Sequence, residues 1–346
     1  MIRVIIVDDS PTFRLLAKSI LESDPDIQVV GEAINGREAL RLCERYRPDV
    51  ITMDIHMPSM DGYEAIQKIM TDMPCPIVVL TGTPGSRNEK IHEKAMKSGA
   101  LVVLPKPKDI QGLDPAADIL ISKIKSMSEI KVIRRKMISR PVAPRRTNAL
   151  GSFQKKAIHL LGIGASTGGP PAIQKVLSGL SNQIPFPIVV VQHISKGFVH
   201  NLAKWLSAST SFPVNIAEHG HRMIPGNVYI AQDNHQLMVT RDGRICLRQS
   251  GPVDGHQPSA TVMFESIAKE YGNTGMGILL TGMGCDGASG LKKLADTGAI
   301  TIAQDEASSV VFGMPKEAIA LGAAQKVLPV TEISSFVNQY LLRLSV

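Results

Sequence analysis

The sequence predicts an α/β protein of two doubly wound parallel-sheet domains joined by a basic linker, and three observations lead there. Short apolar runs of strand length recur between amphipathic stretches over residues 1–127 and again over residues 157–346. Polar residues follow those runs directly, at the carboxyl ends of strands where an open parallel sheet binds its ligands. Charge is also divided unevenly. Lys plus Arg against Asp plus Glu is 16 to 18 over residues 1–127, 9 to 1 over 128–156 and 13 to 12 over 157–346, so the net +7 resides in the middle. At 346 residues the chain can build two cores of ordinary size.

In the first domain, Val4–Val7, Val50–Met53, Ile77–Leu80 and Leu101–Leu104 read as buried strands with amphipathic helices between them. Asp8 and Asp9 follow the first strand, Asp54 the third, Thr81 the fourth and Lys106 the fifth. Three carboxylates in one crevice repel each other unless a cation joins them. Oxygen ligands with room for water suit Mg²⁺, which leaves sites for phosphate oxygens. Lys106 and the Thr81 hydroxyl could then hold the remaining oxygens of a phosphoryl group on Asp54. A solvated loop acid is the ordinary reading of any one of these residues, and their common register at strand ends argues against it.

The stretch Ser128 to Lys156 contains KVIRRKMISRPVAPRRTN, with two prolines and little apolar periodicity, and reads as a solvated tether. No recognition-helix pattern or basic face flanks it, so specific nucleic-acid binding is not expected. The opening MIRVIIVDDS is too short in apolar residues for a signal peptide, and no run approaches a membrane span. Cys43, Cys75, Cys246 and Cys285 lack metal or redox spacing. A cytoplasmic protein without membrane insertion is expected.

In the second domain, the apolar run within IHLLGIGASTGGP ends in glycines and presents Ser166 where a strand should turn into a helix. Gly162, Gly164, Gly168 and Gly169 are expected to let the backbone turn sharply, and Pro170 and Pro171 suit the first turn of a helix. FPIVVV is followed by Gln192 and His193, and GILL by a glycine-rich loop containing Asp286. Ser, His and Asp at three strand ends match a nucleophile, its base and the base's orienter. The residues alone leave two other readings open, a phosphate-cradling loop and a structural glycine turn. The first misses the GxGxxG spacing by one residue and has no Gly-Lys-Ser/Thr ending. Cys285 is a rival nucleophile, though a small buried residue is its ordinary role. His219, His221 and His235 lack a completing ligand at zinc-like spacing, so surface and pocket-lining roles are expected. Trp205 and the methionines read as packing.

With these residues in place, VDDS, MDIHMPSMDG, Thr81-Gly82 and LPKP resemble a two-component receiver domain over about residues 1–125. The resemblance implies a flavodoxin-like fold, phosphorylation of Asp54 by a CheA-like sensor histidine kinase, and Mg²⁺ held by Asp8, Asp9 and Asp54. It also makes Thr81 and Lys106 the switch residues. His56 departs from the Glu or Asn frequent there.

GIGASTGGP, VVVQHI, PGNVYIAQDNHQL, LLTGMGCDGASGL and AQDEASSVVFGMPKEAI resemble the catalytic domain of the chemotaxis protein-glutamate methylesterases, the CheB family. That resemblance implies a Rossmann-like fold, a Ser166–His193–Asp286 triad, and Thr167 and Met283 in the oxyanion-binding region. It also implies esterase chemistry without a cofactor, methyl-accepting chemoreceptors as substrates, release of methanol, and deamidation of glutamines as a related acyl transfer. Gln232 and Thr261 depart from a frequent proline and aspartate, and neither is expected to touch the triad. A purely binding role for this domain would leave an intact Ser-His-Asp set without a task. The unphosphorylated receiver is expected to occlude the esterase site.

Overall fold

The computed structural model describes residues 1–82, 91, 94–96, 98–109, 115–128, 157–194 and 197–344. The expected linker lies outside the described residues from 129 to 156. The chain divides into two compact units, Met1–Pro144 and Arg145–Val346.

The first unit is a five-stranded parallel sheet, β1 (Ile2–Val7), β2 (Ile27–Ala33), β3 (Val50–Met53), β4 (Ile77–Thr81) and β5 (Val102–Pro105), in the order β2-β1-β3-β4-β5. β1, β3 and β4 are covered on both faces, which is why they read as continuous apolar runs rather than alternating ones. The helices start where polar side chains can take up their free N–H groups. Ser10 caps α1 (Pro11–Glu22), with Pro11 in its first turn. Asn35 accepts from the Glu38 N–H at α2 (Gly36–Tyr46) while Glu38 accepts from the Ile34 N–H, and Asp61 caps α3 (Gly62–Asp72). A further helix, α4, spans Pro115–Ser128.

The second unit is a seven-stranded parallel sheet in the order β14-β13-β12-β6-β7-β9-β8. Its strands are β6 (Leu160–Ala165), β7 (Ile188–Gln192), β8 (Val214–Ile216), β9 (Val228–Ile230), β12 (Gly275–Leu279), β13 (Ile300–Gln304) and β14 (Lys326–Leu328). An antiparallel hairpin of β10 (Gln236–Val239) and β11 (Ile245–Arg248) stands apart and was not expected from the sequence.

Side chains alternate across the central strands. Leu161, Ile163, Ile188 and Val190 enter one core, with α5 (Gly169–Gly179), α6 (Val199–Ser209) and α10 (Val330–Leu344), and Trp205 packs at its edge. Leu160, Val189 and Val191 enter the other, with α7 (Ala260–Tyr271), α8 (Ala288–Asp296) and α9 (Met314–Ala320). Each such fully buried Leu, Ile or Val contributes about 1.5–3 kcal/mol by leaving water.

Two of the glycines expected to form the sharp turn do something else. Gly162 and Gly164 lie within β6, and a Cβ there would come within 2.5 Å of Ile267 and 2.9 Å of Ala260. They let α7 pack close on the sheet. The turn itself falls to Gly168, at φ 76°, where a Cβ would also meet Val310 at 2.5 Å.

Candidate functional site

In the second unit β6 lies between β7 and β12, with Ala165 opposite Gln192 and Gly164 opposite Leu279. Three neighbouring strands therefore end side by side, bringing Ser166, His193 and the loop to Asp286 to one edge of the sheet. Backbone bonds hold this edge together. The Ser166 N–H donates to the Thr281 carbonyl and the His193 N–H to the Ala165 carbonyl, each at 3.0 Å. Buried Gln192 ties the two turns to each other, its Nε2 donating to the carbonyls of Ser166 and His193, both at 2.8 Å.

Asp286 is 1% exposed and is the most heavily hydrogen-bonded group at the site. Oδ2 accepts from His193 Nε2 at 2.7 Å and from the Ala260 N–H at 2.7 Å. Oδ1 accepts from the Ser259 hydroxyl at 2.5 Å and from the Thr261 N–H at 3.1 Å. The carboxylate thus sits on the N-terminus of α7, where free N–H groups and the helix dipole favour negative charge. Burial pushes its pKa up, but His193, the Ser259 hydroxyl and the Ala260 N–H outweigh burial and hold it at about 2.

An ionised carboxylate only accepts hydrogen bonds, so His193 must carry its proton on Nε2. The lone pair is then on Nδ1, which is buried and has no protein partner. The structure joins His193 to Asp286 and puts Ser166 at the adjoining strand end. Among the described residues Ser166 Oγ makes no hydrogen bond to His193. Catalytic contacts of this kind commonly tighten only when substrate is bound.

Thr167 and Met283 flank Ser166 on two loops, both half-buried. Among the described residues neither the Thr167 nor the Met283 N–H donates to a protein acceptor. Cys285 is exposed rather than the small buried residue expected, and partial desolvation of its thiol together with the carboxylates of Asp254, Asp286 and Glu317 pushes its pKa up, away from the nucleophilic thiolate.

The expectation that Thr261 does not touch the triad is corrected. Besides the bond from its N–H to Asp286, its hydroxyl accepts from the Gly287 N–H at 2.7 Å and donates to Asp254 at 2.9 Å. Gln232 stays apart, donating to the Ala217 carbonyl at 2.8 Å. The three histidines each have their own neighbours. His219 accepts from the Leu247 N–H, His221 tilts against Tyr229, and His235 contacts the Asp233 carbonyl and Gln249.

Ser259, Gln236 and His256 were not singled out in the sequence. Ser259 caps α7, Gln236 accepts from the Ser259 N–H at 2.8 Å, and the His256 ring stacks on His193 with centroids 3.8 Å apart and planes 6° from parallel. The signal for Ser259 was a serine just ahead of an apolar helical run.

In the first unit Asp8 and Asp54 are buried, Asp9 is exposed, and oxygens of all three lie within 4.8 Å of one another. Lys106 Nζ is 2.6 Å from Asp8 Oδ2 and 3.4 Å from Asp54 Oδ1. Burial raises the Asp54 pKa and Asp8 adds to this, while Lys106 pulls it back. Thr81 closes β4, its carbonyl accepting from the Lys106 N–H at 3.0 Å. Gly62 allows α3 to begin against this edge, since a Cβ there would lie 2.2 Å from the Asp54 carbonyl oxygen. His56 is exposed. Two buried acids beside a third, with one lysine between them, fit a divalent cation.

Fold and site define a class: a response-regulator receiver unit in one chain with an α/β unit built around a buried Asp–His pair and a strand-end serine. The receiver-domain family model matches residues 4–118 and the CheB methylesterase model residues 161–337. A protein-glutamate methylesterase/protein-glutamine glutaminase of Nitrosospira multiformis is 43% identical over 97% of this chain and 96% of its own. A second protein of that description, from Syntrophus aciditrophicus, is 42% identical over 96% of this chain and 97% of its own. The crystal structure of the Thermotoga maritima CheB methylesterase catalytic domain, 35% identical, superposes with a TM-score of 0.51 over 53% of this chain and 99% of that one. The chain belongs to the CheB methylesterase family. Among the described residues no helix is long and apolar enough to cross a membrane.

Proposed function

We propose that the chain is a phosphorylation-controlled serine esterase that hydrolyses glutamate methyl esters on methyl-accepting chemoreceptors. One observation carries the chemistry: buried Asp286 holds His193 through Nε2 and leaves Nδ1 buried without a protein partner, while His193 and Ser166 follow the ends of two paired strands. Domains of residues 1–127 and 157–346, with a basic linker of 128–156, house the regulator and the enzyme.

Ser166 Oγ attacks the γ-carbonyl of the methylated glutamate as its proton passes to His193 Nδ1. The imidazolium so formed is paired through Nε2–H with Asp286. The carbonyl π electrons move to oxygen, and the N–H groups of Thr167 and Met283 donate hydrogen bonds to the oxyanion so formed. Collapse of the tetrahedral intermediate breaks the C–O bond to methoxide, which takes the proton from Nδ1 and leaves as methanol. Water then gives a proton to Nδ1, attacks the acyl-serine, and frees glutamate and Ser166 as that proton returns to Oγ. Each oxyanion donor contributes about 2.7–4 kcal/mol of transition-state stabilisation. The same steps with an amide would release ammonia, so glutamine deamidation is a second activity of this site.

In the receiver, Asp8, Asp9 and Asp54 would hold Mg²⁺, which neutralises charge on the transferring phosphoryl group. Lys106 and Thr81 are the switch residues that meet the phosphoryl oxygens on Asp54. A CheA-like histidine kinase is the phosphodonor. Phosphorylation of the receiver raises esterase activity, and more for bulky receptors than for a small ester. The protein works in the cytoplasm and binds no specific nucleic acid.

The test is methanol release from methylated receptor membranes by wild type and Ser166→Ala, with and without a small phosphodonor and Mg²⁺. Release that requires Ser166 and rises with phosphodonor is expected. Release by Ser166→Ala would remove the serine mechanism.

A further inference from the structure

We propose that His256 is a positioning residue of the esterase, a flat ring that fixes the plane of His193 and stabilises it when it becomes an imidazolium. This rests on the esterase reading above. The ring lies face to face with His193, with centroids 3.8 Å apart and planes 6° from parallel. His256 Nδ1 is 2.7 Å from the Asp254 carbonyl, which can only accept, so that nitrogen carries a proton.

The loop behind His256 is built to be rigid. Val253 and His256 exchange two backbone hydrogen bonds, at 3.0 and 2.9 Å, across Asp254 and Gly255, whose φ values are 50° and 76°. Asp-Gly at two positive φ angles is the favoured pair for such a tight turn. Fully buried Gln236 donates to the Gly251 and His256 carbonyls at 2.9 and 3.2 Å and accepts from the Ser259 N–H. Thr261 ties Asp254 to the Gly287 N–H, one residue beyond Asp286. The groups that set Asp286 and the groups that set His256 are therefore one network, closed on itself by the stack on His193.

His193, His256 and Asp286 also lie close enough together to suggest a metal site. The stack argues against it. A ligand nitrogen holds zinc in its own ring plane at about 2.0–2.1 Å, and an ion shared by these two rings would lie about 1.9 Å out of both planes. The arrangement suits a π contact instead. The face of an aromatic ring attracts a cation, and here the cation is the imidazolium formed as Ser166 attacks. The ring also covers one face of His193 and limits how far that imidazole can tilt out of its plane.

The test uses the full chain with phosphodonor and Mg²⁺, and follows methanol release from a small methyl ester together with labelling of the serine by a phosphonate probe. His256→Leu fills similar volume without a π face, and His256→Phe keeps a flat ring without the Asp254 bond. We expect His256→Leu to lower kcat and the labelling rate about tenfold with KM changed less than twofold, and His256→Phe to stay within about threefold of wild type. Equal activity of His256→Leu and wild type, an equal fall in both variants, or a raised KM with kcat kept would each overturn the proposal. Turnover and labelling retained in Ser166→Ala would instead overturn the esterase reading beneath it.

Discussion

Replacing Asp286 by Asn separates charge from shape at the centre of the site. Each carboxylate oxygen has two donors, His193 and the Ala260 N–H on one side, the Ser259 hydroxyl and the Thr261 N–H on the other. An amide must place its NH₂ on one side or the other, and in either pose a buried backbone N–H loses its acceptor, at a cost of about 1–3 kcal/mol of stability. With NH₂ toward Ser259 the hydroxyl can rotate to accept, and the oxygen still faces His193. The serine base therefore keeps its Nδ1 lone pair in part of the population. What vanishes in every pose is the negative charge opposite the imidazolium. At 2.7 Å and an effective dielectric of about 20, that attraction is about 6 kcal/mol, part of which the amide dipole restores. We expect kcat to fall about 10³–10⁴-fold while KM for a small ester changes little, and denaturant unfolding to show the smaller stability loss. A variant within tenfold of wild type would refute the assignment of Asp286 as the partner of the catalytic base.

Four further outcomes follow from the same geometry. Gln192→Leu leaves the Ser166 and His193 carbonyls without their buried donor and should cost about 1–3 kcal/mol in urea unfolding, with a fall in serine labelling. Gly62→Ala drives a Cβ into the Asp54 carbonyl and should abolish phosphoryl uptake from a small phosphodonor while Ser166 still labels. Because the folded-state pKa of Asp286 lies at about 2 against an ordinary 3.8, its contribution to stability is complete above pH 4 and lost as pH falls through 2. Asp286→Ala should flatten that segment of the acid-unfolding curve by about 2 kcal/mol. Asp54 has the opposite sign: its raised pKa means that the ionised form disfavours folding at neutral pH, so Asp54→Asn should raise the receiver's melting temperature at pH 7 and not at pH 3.

Much of the candidate site's placement was legible in the sequence because an open parallel sheet presents its ligand-facing residues at strand ends. Ser166, His193, Asp8, Asp54, Thr81 and Lys106 follow apolar runs within a residue or two, and local pattern suffices to find them. Asp286 was legible as the acid of a glycine loop, but its environment was not. Its donors come from Ser259, Ala260 and Thr261, more than twenty residues away, and they reach it because α7 begins beneath the loop. No local pattern announces where a helix will begin in space. His256 was hidden for the same reason, since its stack depends on an Asp-Gly turn folding back against another strand's end. Gly162 and Gly164 show the converse error, where residues suited to turning the chain serve instead to admit a helix.

The two units treat a buried aspartate in opposite ways, and the difference explains their roles. Asp286 has four donors for two oxygens, so its charge is fully compensated and it has little tendency to take a proton or attack anything. It is a fixed anion beside His193, as the proposed base requires. Asp54 is buried beside a second acid, with a single lysine at 3.4 Å that also lies 2.6 Å from Asp8, and its pKa is raised. Its charge is undercompensated, so bringing up a cation and an electrophilic phosphoryl group relieves the site. Donor count at the carboxyl edge thus separates the aspartate proposed to hold a base in place from the one proposed to take a phosphoryl group, on the same kind of sheet and in the same chain.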